Sequence, residues 1–293
     1  MTSYQSSAAF RRGLEERLRF RSLNTGVPLI RLRKTVAFDR FLARLIQLQP
    51  GRWILKGGFA IQLRLMDKAR TTKDIDLLAL AELPDVLVLL RKAGGFDLKD
   101  WFRFEVEPGE DQTLEPFGGS RFHIRSLLDG RTFEEFHIDV GIGDPVIEPV
   151  DQLEGPSLLD FAGFQPTIIP CYPVTQQIAE KVHAYTRPHV SGESSRVKDF
   201  VDILLLAELG KIDADRLYQA IQATFNARQS HSLPKEIPDP PAEWSKSFQR
   251  LSIEVSLREK SLDEATSAIK TFLNPILGEK MIRQWDPGIW TWR

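Results

Sequence analysis

Two short segments decide the fold of this chain: residues 55–60, which read LKGGFA, and residues 70–77, which read RTTKDIDL. Successive side chains of a β-strand point to opposite faces, so Asp74 and Asp76 share one face, with Cα atoms roughly 6.6 Å apart. Two ionised carboxylates this close repel each other unless a cation lies between them. Carboxylate oxygens are typical ligands of Mg²⁺, which is usually held by one or two carboxylates together with substrate phosphates. The second segment therefore predicts a magnesium site on a strand.

The first segment places Gly57 and Gly58 between a short apolar strand and a helix. A glycine turn lets the backbone approach a ligand closely, and a helix that begins there directs free N–H groups at an anion. A phosphate cradle and metal-binding carboxylates are the parts that hold a nucleoside triphosphate for in-line attack. Each motif alone is common in turns and surface strands, but the ordered combination is specific. We therefore expect Lys56, Gly57 and Gly58 to position the phosphates.

A third carboxylate, Asp139, lies in the segment 136–140, which reads FHIDV. Alternation places His137 and Asp139 on one face and the apolar residues on the other. If this strand lies beside the Asp74 strand, Asp139 completes a metal triad or acts as general base for an attacking hydroxyl. The alternative is that Asp139 and Asp144 merely end a strand in a polar turn. His137 could also indicate a transition metal, but no second His-rich element supports that reading.

These motifs resemble the nucleotidyltransferase superfamily that includes DNA polymerase β, whose signature is a glycine turn, then Asp-x-Asp, then a later single acid. The longer spacing between Gly58 and Asp74, together with Arg64 and the segments 70–72 and 139–144, looks like the AbiEii/MenT toxin branch. The resemblance implies an α+β fold, with a mixed sheet flanked by helices and a helical C-terminal half in a bilobed chain. It also implies that Asp74, Asp76 and Asp139 bind Mg²⁺, with an NTP as substrate.

The C-terminal half resembles the same family in the segments 178–184 (IAEKVHA) and 196–202 (RVKDFVD), and in the closing 272–277. The resemblance gives Lys181 a triphosphate contact and Asp202 a catalytic role near the nucleotide. The residues themselves leave alternatives open. Asp202 lies within an apolar helix, and a buried carboxylate needs a cation or hydrogen-bond donors. Lys181 is a candidate partner in a purely structural salt bridge, and Lys198 could instead form an i,i+4 surface pair with Asp202.

The overall composition is that of an ordinary globular protein. The chain has 293 residues, 42% of them hydrophobic and 27% charged, which argues against a disordered or collagen-like protein. No apolar run approaches the roughly 18 residues of a membrane helix, and residues 1–30 lack a signal-peptide core. The single cysteine, Cys171, cannot form an internal disulfide. We therefore expect a cytoplasmic protein with no membrane partner.

The net charge of −1 conceals a basic N-terminal stretch. Residues 1–50 contain ten basic and three acidic residues, a net charge of +7, on an otherwise acidic chain. Such a stretch can follow a phosphate backbone, so Arg31, Arg33 and Lys34 are candidate RNA contacts. The alternative is a solvated helix face with ordinary i,i+3 and i,i+4 ion pairs.

The chain divides by sequence pattern into three parts: a basic helical segment 1–50, a nucleotidyltransferase core 51–165 and a helical domain 166–293. Helical periodicity and turn signals, with Asp129-Gly130 as a strong hairpin signal, define the expected elements. Strands are expected at 53–56, 73–80, 101–106, 120–128 and 131–141, with 107–119 as a loop. Helices are expected at 8–23, 33–48, 59–67, 84–93, 174–186, 197–209, 213–227 and 260–277.

The expected function, by resemblance, is that of a Mg²⁺-dependent nucleotidyltransferase toxin. It would transfer nucleotides from an NTP to the 3′ end of tRNA, block translation and be restrained by a cognate antitoxin protein. Two alternatives stay open. The same catalytic parts would serve NMP transfer to a protein hydroxyl, and the fold could also serve as a non-catalytic nucleotide-binding module. Against the module, every acidic position of the triad is filled.

Overall fold

The computed structural model describes residues 4–80, 85–109, 119–188, 196–278 and 284–293. The chain forms two compact units. Unit 1 comprises Met1–Leu63, Thr71–Gly143 and Asp151–Cys171, and unit 2 comprises Arg64–Arg70, Asp144–Val150 and Tyr172–Arg293. The basic segment 1–50 therefore belongs to the same unit as the strands that carry the Asp-x-Asp motif. The three-part division by sequence stays a prediction.

The elements that precede Tyr172 are, in chain order, α1 (Ser7–Thr25), α2 (Leu29–Leu48), β1 (Trp53–Lys56), α3 (Gly57–Leu65), β2 (Asp74–Ala79), α4 (Val86–Gly95), β3 (Phe102–Pro108), β4 (Gly119–Leu128), β5 (Arg131–Ile142), β6 (Asp151–Glu154) and β7 (Ile168–Cys171). The seven strands form one sheet in the order β3-β4-β5-β2-β1-β7-β6. The pairs β2–β5 and β1–β7 are parallel and the others antiparallel. The expected mixed sheet flanked by helices is thus confirmed.

The core of unit 1 lies between α2 and one face of the sheet. Helical spacing places Phe38 and Phe41 of α2 on the buried side, and period-2 alternation places Phe136 of β5 opposite them. The rings of Phe38 and Phe136 pack edge to face with their centroids 4.9 Å apart, and the centroids of Phe38 and Phe59 of α3 are 5.0 Å apart. Since this face of the sheet is packed, the side chains that alternate with it emerge on the opposite face.

Unit 2 is helical with one small sheet. Its remaining elements are α5 (Val174–Thr186), α6 (Val197–Glu208), β8 (Ile212–Asp213), α7 (Ala214–Arg228), α8 (Ser245–Glu254), α9 (Leu262–Leu277), β9 (Gln284–Asp286) and β10 (Thr291–Trp292). A capping box of Ser261 and Glu264 starts α9. Trp285 on β9 is fully buried and donates to the Ala207 carbonyl, so this tryptophan packs in the core of unit 2.

Most expected elements are present with shifts of a few residues at their ends. The helix expected at 33–48 begins at Leu29, directly after Pro28, and the helix expected at 59–67 begins at Gly57 itself. The short strands β6 and β7, the small sheet of unit 2 and α8 were not expected. The loop expected at 107–119 falls mostly on residues 110–118, which lie outside the described residues. Among the described residues, no helix is long and apolar enough to cross a membrane.

Candidate active site

The three acidic residues of the sequence motifs meet on one face of the sheet of unit 1. Asp76 of β2 and Asp139 of β5 are direct partners across the parallel strands, and Asp74 follows on the same face, opposite His137. The residues between them, Ile75 and Ile138, are fully buried on the other face. We call Asp74, Asp76 and Asp139 the acidic face. The expected adjacency of the two strands is confirmed.

Gly57 brings the start of α3 against this acidic face. Its φ of +64° lies in the left-handed region that glycine adopts without strain. A Cβ atom built on Gly57 would overlap Oδ2 of Asp76, so the carboxylate occupies the space that a side chain would need. The sequence argument expected this glycine to admit a ligand. In the structure the Asp76 carboxylate fills the space beside Gly57, which is the first residue of α3.

Asp139 is held by an arginine that the sequence analysis did not identify. Arg121 of β4 is its direct cross-strand partner, and the guanidinium donates from Nε to Oδ1 at 2.7 Å and from Nη2 to Oδ2 at 2.6 Å. This bidentate pair is among the strong forms of charge-assisted hydrogen bonding. Asp139 raises the pKa of Arg121 through that hydrogen bond, and the charges of Asp74 and Asp76 add to the effect. All three carboxylates of the acidic face therefore raise the pKa of Arg121.

The charged residues form a row across four strands. Lys56 of β1 is the register partner of Asp76, Asp76 is the partner of Asp139, and Asp139 is the partner of Arg121. The signs along the row are positive, negative, negative, positive. Since register partners point to the same face of a sheet, the two cations flank the carboxylate pair on both sides.

A second polar row lies one step along the same face. His137 Nδ1 is 3.5 Å from Asp74 Oδ1, and its ring lies 5.4 Å from the ring of His123 on β4. His123 in turn lies 3.7 Å from the Glu135 carboxylate. Aspartate and imidazole groups therefore continue the polar surface beside the acidic face.

Two residues of the acidic face have the donor chemistry of a Mg²⁺ site. Asp74 and Asp76 supply two hard carboxylates on one strand, which suits an ion that also binds substrate phosphates. Asp139 is adjacent, but both of its oxygens accept hydrogen bonds from Arg121. Within the described parts of the chain, no three His, Cys, Asp or Glu side chains are grouped closely enough to hold a metal ion. The carboxylates Asp74 and Asp76 would hold the ion, and Asp139 joins them only by sharing or leaving Arg121.

Unit 2 contains a separate cluster of buried charges around Asp202. This residue of α6 is fully buried, and Arg70 donates to it from Nε at 2.9 Å and from Nη2 at 2.8 Å. Lys181 Nζ of α5 lies 2.9 Å from Asp202 and 2.7 Å from Asp199. Arg196 is 3.3 Å from Asp199. We call these five residues the charge cluster.

The pKa values of the charge cluster follow from its pairing. Burial alone would raise the pKa of Asp202, but the charges of Lys181 and Arg70 outweigh it and keep the pKa below the usual value. Burial alone would lower the pKa of Lys181, yet Asp199 and Asp202 outweigh it and raise the pKa. Both groups are therefore ionised at neutral pH. The cation that the sequence analysis required for Asp202 is Lys181, joined by Arg70, whereas Lys198 is exposed.

The candidate RNA contacts of the basic segment have structural partners in unit 1. Arg33 lies 2.9 Å from Glu15 and 3.0 Å from Glu134, and Lys34 donates to a backbone carbonyl of β5. Arg31 is buried. RNA binding by these residues stays a prediction. The exposed basic side chains of this stretch lie on α1 and are Arg12, Arg17, Arg19 and Arg21.

Comparison with known proteins decides the family. The family described as "Nucleotidyl transferase AbiEii toxin, Type IV TA system" matches residues 40–286, which include every motif described above. This chain belongs to the AbiEii nucleotidyltransferase toxin family. Family membership implies an NTP substrate and an antitoxin partner, and it confirms the resemblance drawn from the motifs.

One solved structure shares the fold of this chain. MenT4, nucleotidyltransferase toxin Rv2826c from Mycobacterium tuberculosis H37Rv, aligns with a TM-score of 0.59 at 17% identity, over 98% of this chain and 93% of that one. JHP933 from Helicobacter pylori aligns with a TM-score of 0.41 at 16% identity, over 76% of this chain and 88% of that one. A comparison with curated proteins gave no match.

Proposed function

We propose that this AbiEii family member is a Mg²⁺-dependent enzyme that transfers nucleotides from an NTP to the 3′ end of tRNA and thereby blocks translation. One observation carries the proposal. Asp76 and Asp139 are direct partners on neighbouring strands, Asp74 lies on the same face, and Gly57 at the start of α3 touches the Asp76 carboxylate. Carboxylates beside a helix N-terminus are the parts required to hold a metal-bound triphosphate.

In the proposed reaction the terminal hydroxyl of the acceptor attacks the α-phosphorus and pyrophosphate leaves. When bound, Mg²⁺ would neutralise charge on the phosphate oxygens. Asp74 and Asp76 would hold the ion, and the free N–H groups at the start of α3, with Lys56, would orient the phosphates. Lys181 would neutralise triphosphate charge, and Asp202 would position Lys181 through their 2.9 Å ion pair.

Asp139 has two possible tasks in this reaction, to assist the metal or to take the proton of the attacking hydroxyl. Both oxygens of Asp139 accept hydrogen bonds from Arg121. Either task therefore requires Arg121 to share or release the carboxylate.

The test is an in vitro labelling assay with purified protein, Mg²⁺, each of the four labelled NTPs and total tRNA. We expect label on tRNA with the wild-type chain and none with EDTA, with Asp74→Asn or with Asp76→Asn. An Asp215→Asn variant, which changes an exposed aspartate on α7, is the matched control and should label normally. Absence of tRNA labelling with every NTP would overturn the proposal.

Two other outcomes would identify the alternatives. Arg33 and Lys34 make contacts within unit 1 and their role as RNA contacts stays a prediction, so NMP transfer to a protein hydroxyl is kept as a second candidate. Label on protein rather than on RNA would decide for it. Toxicity in cells that survives both Asp74→Ala and Asp76→Ala would instead indicate a non-catalytic binding module.

A further inference from the structure

The pairing of Arg121 with Asp139 is a feature of the acidic face that a simple metal site does not require. Both guanidinium contacts are short, at 2.7 and 2.6 Å, and they use both carboxylate oxygens. The pair is not a loose surface contact, because the side chains are only 30% and 16% exposed. A divalent ion that binds Asp139 must therefore share or displace an existing cation.

The strand register that creates this pair depends on an irregularity. Near the turn at residues 129–130, Leu128 pairs with Arg131 and Leu127 with Thr132. A bulge between Ser126 and Leu127 then shifts the pairing by one residue. Without the shift, Arg121 would lie opposite Ile138, whose side chain points into the core. The bulge therefore brings the arginine to the acidic face.

The charges around Arg121 explain why a cation is needed there. Three carboxylates lie on adjacent strands of one sheet face, and like charges at such positions destabilise the sheet. On the side of β4 the charge nearest to Asp139 is Arg121, and on the side of β1 the partner of Asp76 is Lys56. Asp139 therefore depends on Arg121 for neutralisation when no metal is bound.

We propose that Arg121 is a built-in counter-cation of the acidic face, which neutralises Asp139 in the metal-free protein and competes with the divalent ion for that carboxylate. This inference rests on the proposed function for the identity of the ion. Arg121 is thus a positioning residue that sets metal affinity rather than a group that touches the reacting atoms.

The size of the competition follows from Coulomb's law. For a divalent ion bound to the same carboxylate, we take a separation of about 6 Å from the guanidinium carbon in Coulomb's law. At that separation, even with the dielectric constant of water, the repulsion changes the affinity by about tenfold. Loss of the Arg121 charge should therefore tighten metal binding by about tenfold or more, whereas a purely structural salt bridge predicts weaker or unchanged binding.

The test measures binding of Mn²⁺ to the nucleotide-free protein by electron paramagnetic resonance. We expect Arg121→Gln to bind Mn²⁺ about tenfold more tightly than the wild type. Arg121→Lys keeps the positive charge but loses the bidentate hydrogen bonding, so its affinity for Mn²⁺ should lie between those of the wild type and Arg121→Gln. Arg125→Gln is the matched control, because Arg125 lies on the same strand and face but pairs with Glu105 at 2.6 Å. Its affinity should change by less than about twofold.

A second readout separates this inference from the proposed function. In EDTA, Arg121→Gln should unfold at a lower temperature than the wild type. Addition of a divalent ion should raise the unfolding temperature of the variant by more than it raises that of the wild type. Equal or weaker Mn²⁺ binding by Arg121→Gln would overturn the inference while leaving the metal site intact. If the wild type binds no Mn²⁺, and Asp74→Asn changes nothing, the metal assignment in the proposed function fails instead.

Discussion

The buried carboxylate of the charge cluster gives the sharpest stability prediction. Asp202 is fully buried and accepts two hydrogen bonds from Arg70, at 2.9 and 2.8 Å, in addition to its ion pair with Lys181 at 2.9 Å. Asp202→Asn removes the negative charge and replaces one acceptor oxygen by a donor that faces two cations. Removal of one partner from a buried ion pair costs about 3–5 kcal/mol, because the other charges stay buried and uncompensated.

Urea unfolding measures this loss directly. With an m-value of about 2–3 kcal/mol per molar urea, the midpoint should fall by roughly 1.5 M. Lys198→Gln is the control on the same helix, since Lys198 is exposed and the structure pairs Asp202 with Lys181 and Arg70 instead. Its midpoint should be unchanged. A small effect of Asp202→Asn, or a comparable loss in Lys198→Gln, would refute the assignment of these ion pairs.

Three further predictions concern other parts of the chain. Gly57→Ala should lower the unfolding temperature and abolish nucleotidyl transfer, whereas Gly130→Ala, with a similar φ but open space around it, should cost stability only. Burial and nearby arginine charges lower the pKa of His183 to about 4. Below pH 6.5 the unfolded chain therefore binds a proton that the folded chain does not, and the free energy of unfolding should fall by about 3 kcal/mol between pH 6.5 and pH 4. The His183→Gln variant should not show this fall. Arg33→Glu should lower the unfolding temperature through its lost ion pairs, whereas Arg19→Glu on the exposed face of α1 should reduce tRNA labelling without affecting stability.

The acidic face could be predicted from the sequence because it depends on local alternation. Asp74 and Asp76 must share a face in any strand, and Asp139 shares a face with His137 for the same reason. Only the adjacency of the two strands had to be assumed, and the parallel pairing of β2 with β5 supplies it. The strands β6 and β7, at one end of the sheet, could not be predicted in this way. They have four residues each, and Pro170 interrupts the pattern of the second.

Arg121 shows where the same reasoning stops. The Asp129-Gly130 turn predicts a hairpin with a fixed register, and that register places Arg121 opposite an apolar residue. A shift of one residue reverses the face that every side chain meets, so a single bulge decides whether the arginine reaches Asp139. One signal was present in the sequence. The apolar residues Phe133 and Phe136 are three positions apart, a spacing that breaks the alternation of a regular strand, and both are buried in the structure.

The basic N-terminal stretch shows that net charge alone does not locate a binding surface. Arg44 is fully buried and paired with Asp100, and Arg40 is buried beside Asp39. Some of the acidic residues that pair with this stretch lie far from it in the sequence. The net charge of residues 1–50 alone is therefore more positive than that of the folded unit that contains them. The exposed basic side chains of this segment lie on α1, and RNA binding by Arg31, Arg33 and Lys34 stays a prediction.

The charge cluster bears on whether Lys181 is structural or functional. The fork of Arg70 already satisfies both oxygens of Asp202, so a purely structural site would be complete with that pair alone. The described residues of the cluster nevertheless contain three cations, Arg70, Lys181 and Arg196, for two carboxylates. Asp199 and Asp202 outweigh the cost of burying the Lys181 ammonium, since they hold its pKa above the usual value. The ion pairs of Lys181 with Asp199 and Asp202 are therefore a stabilising part of unit 2, and the triphosphate contact of Lys181 stays a prediction.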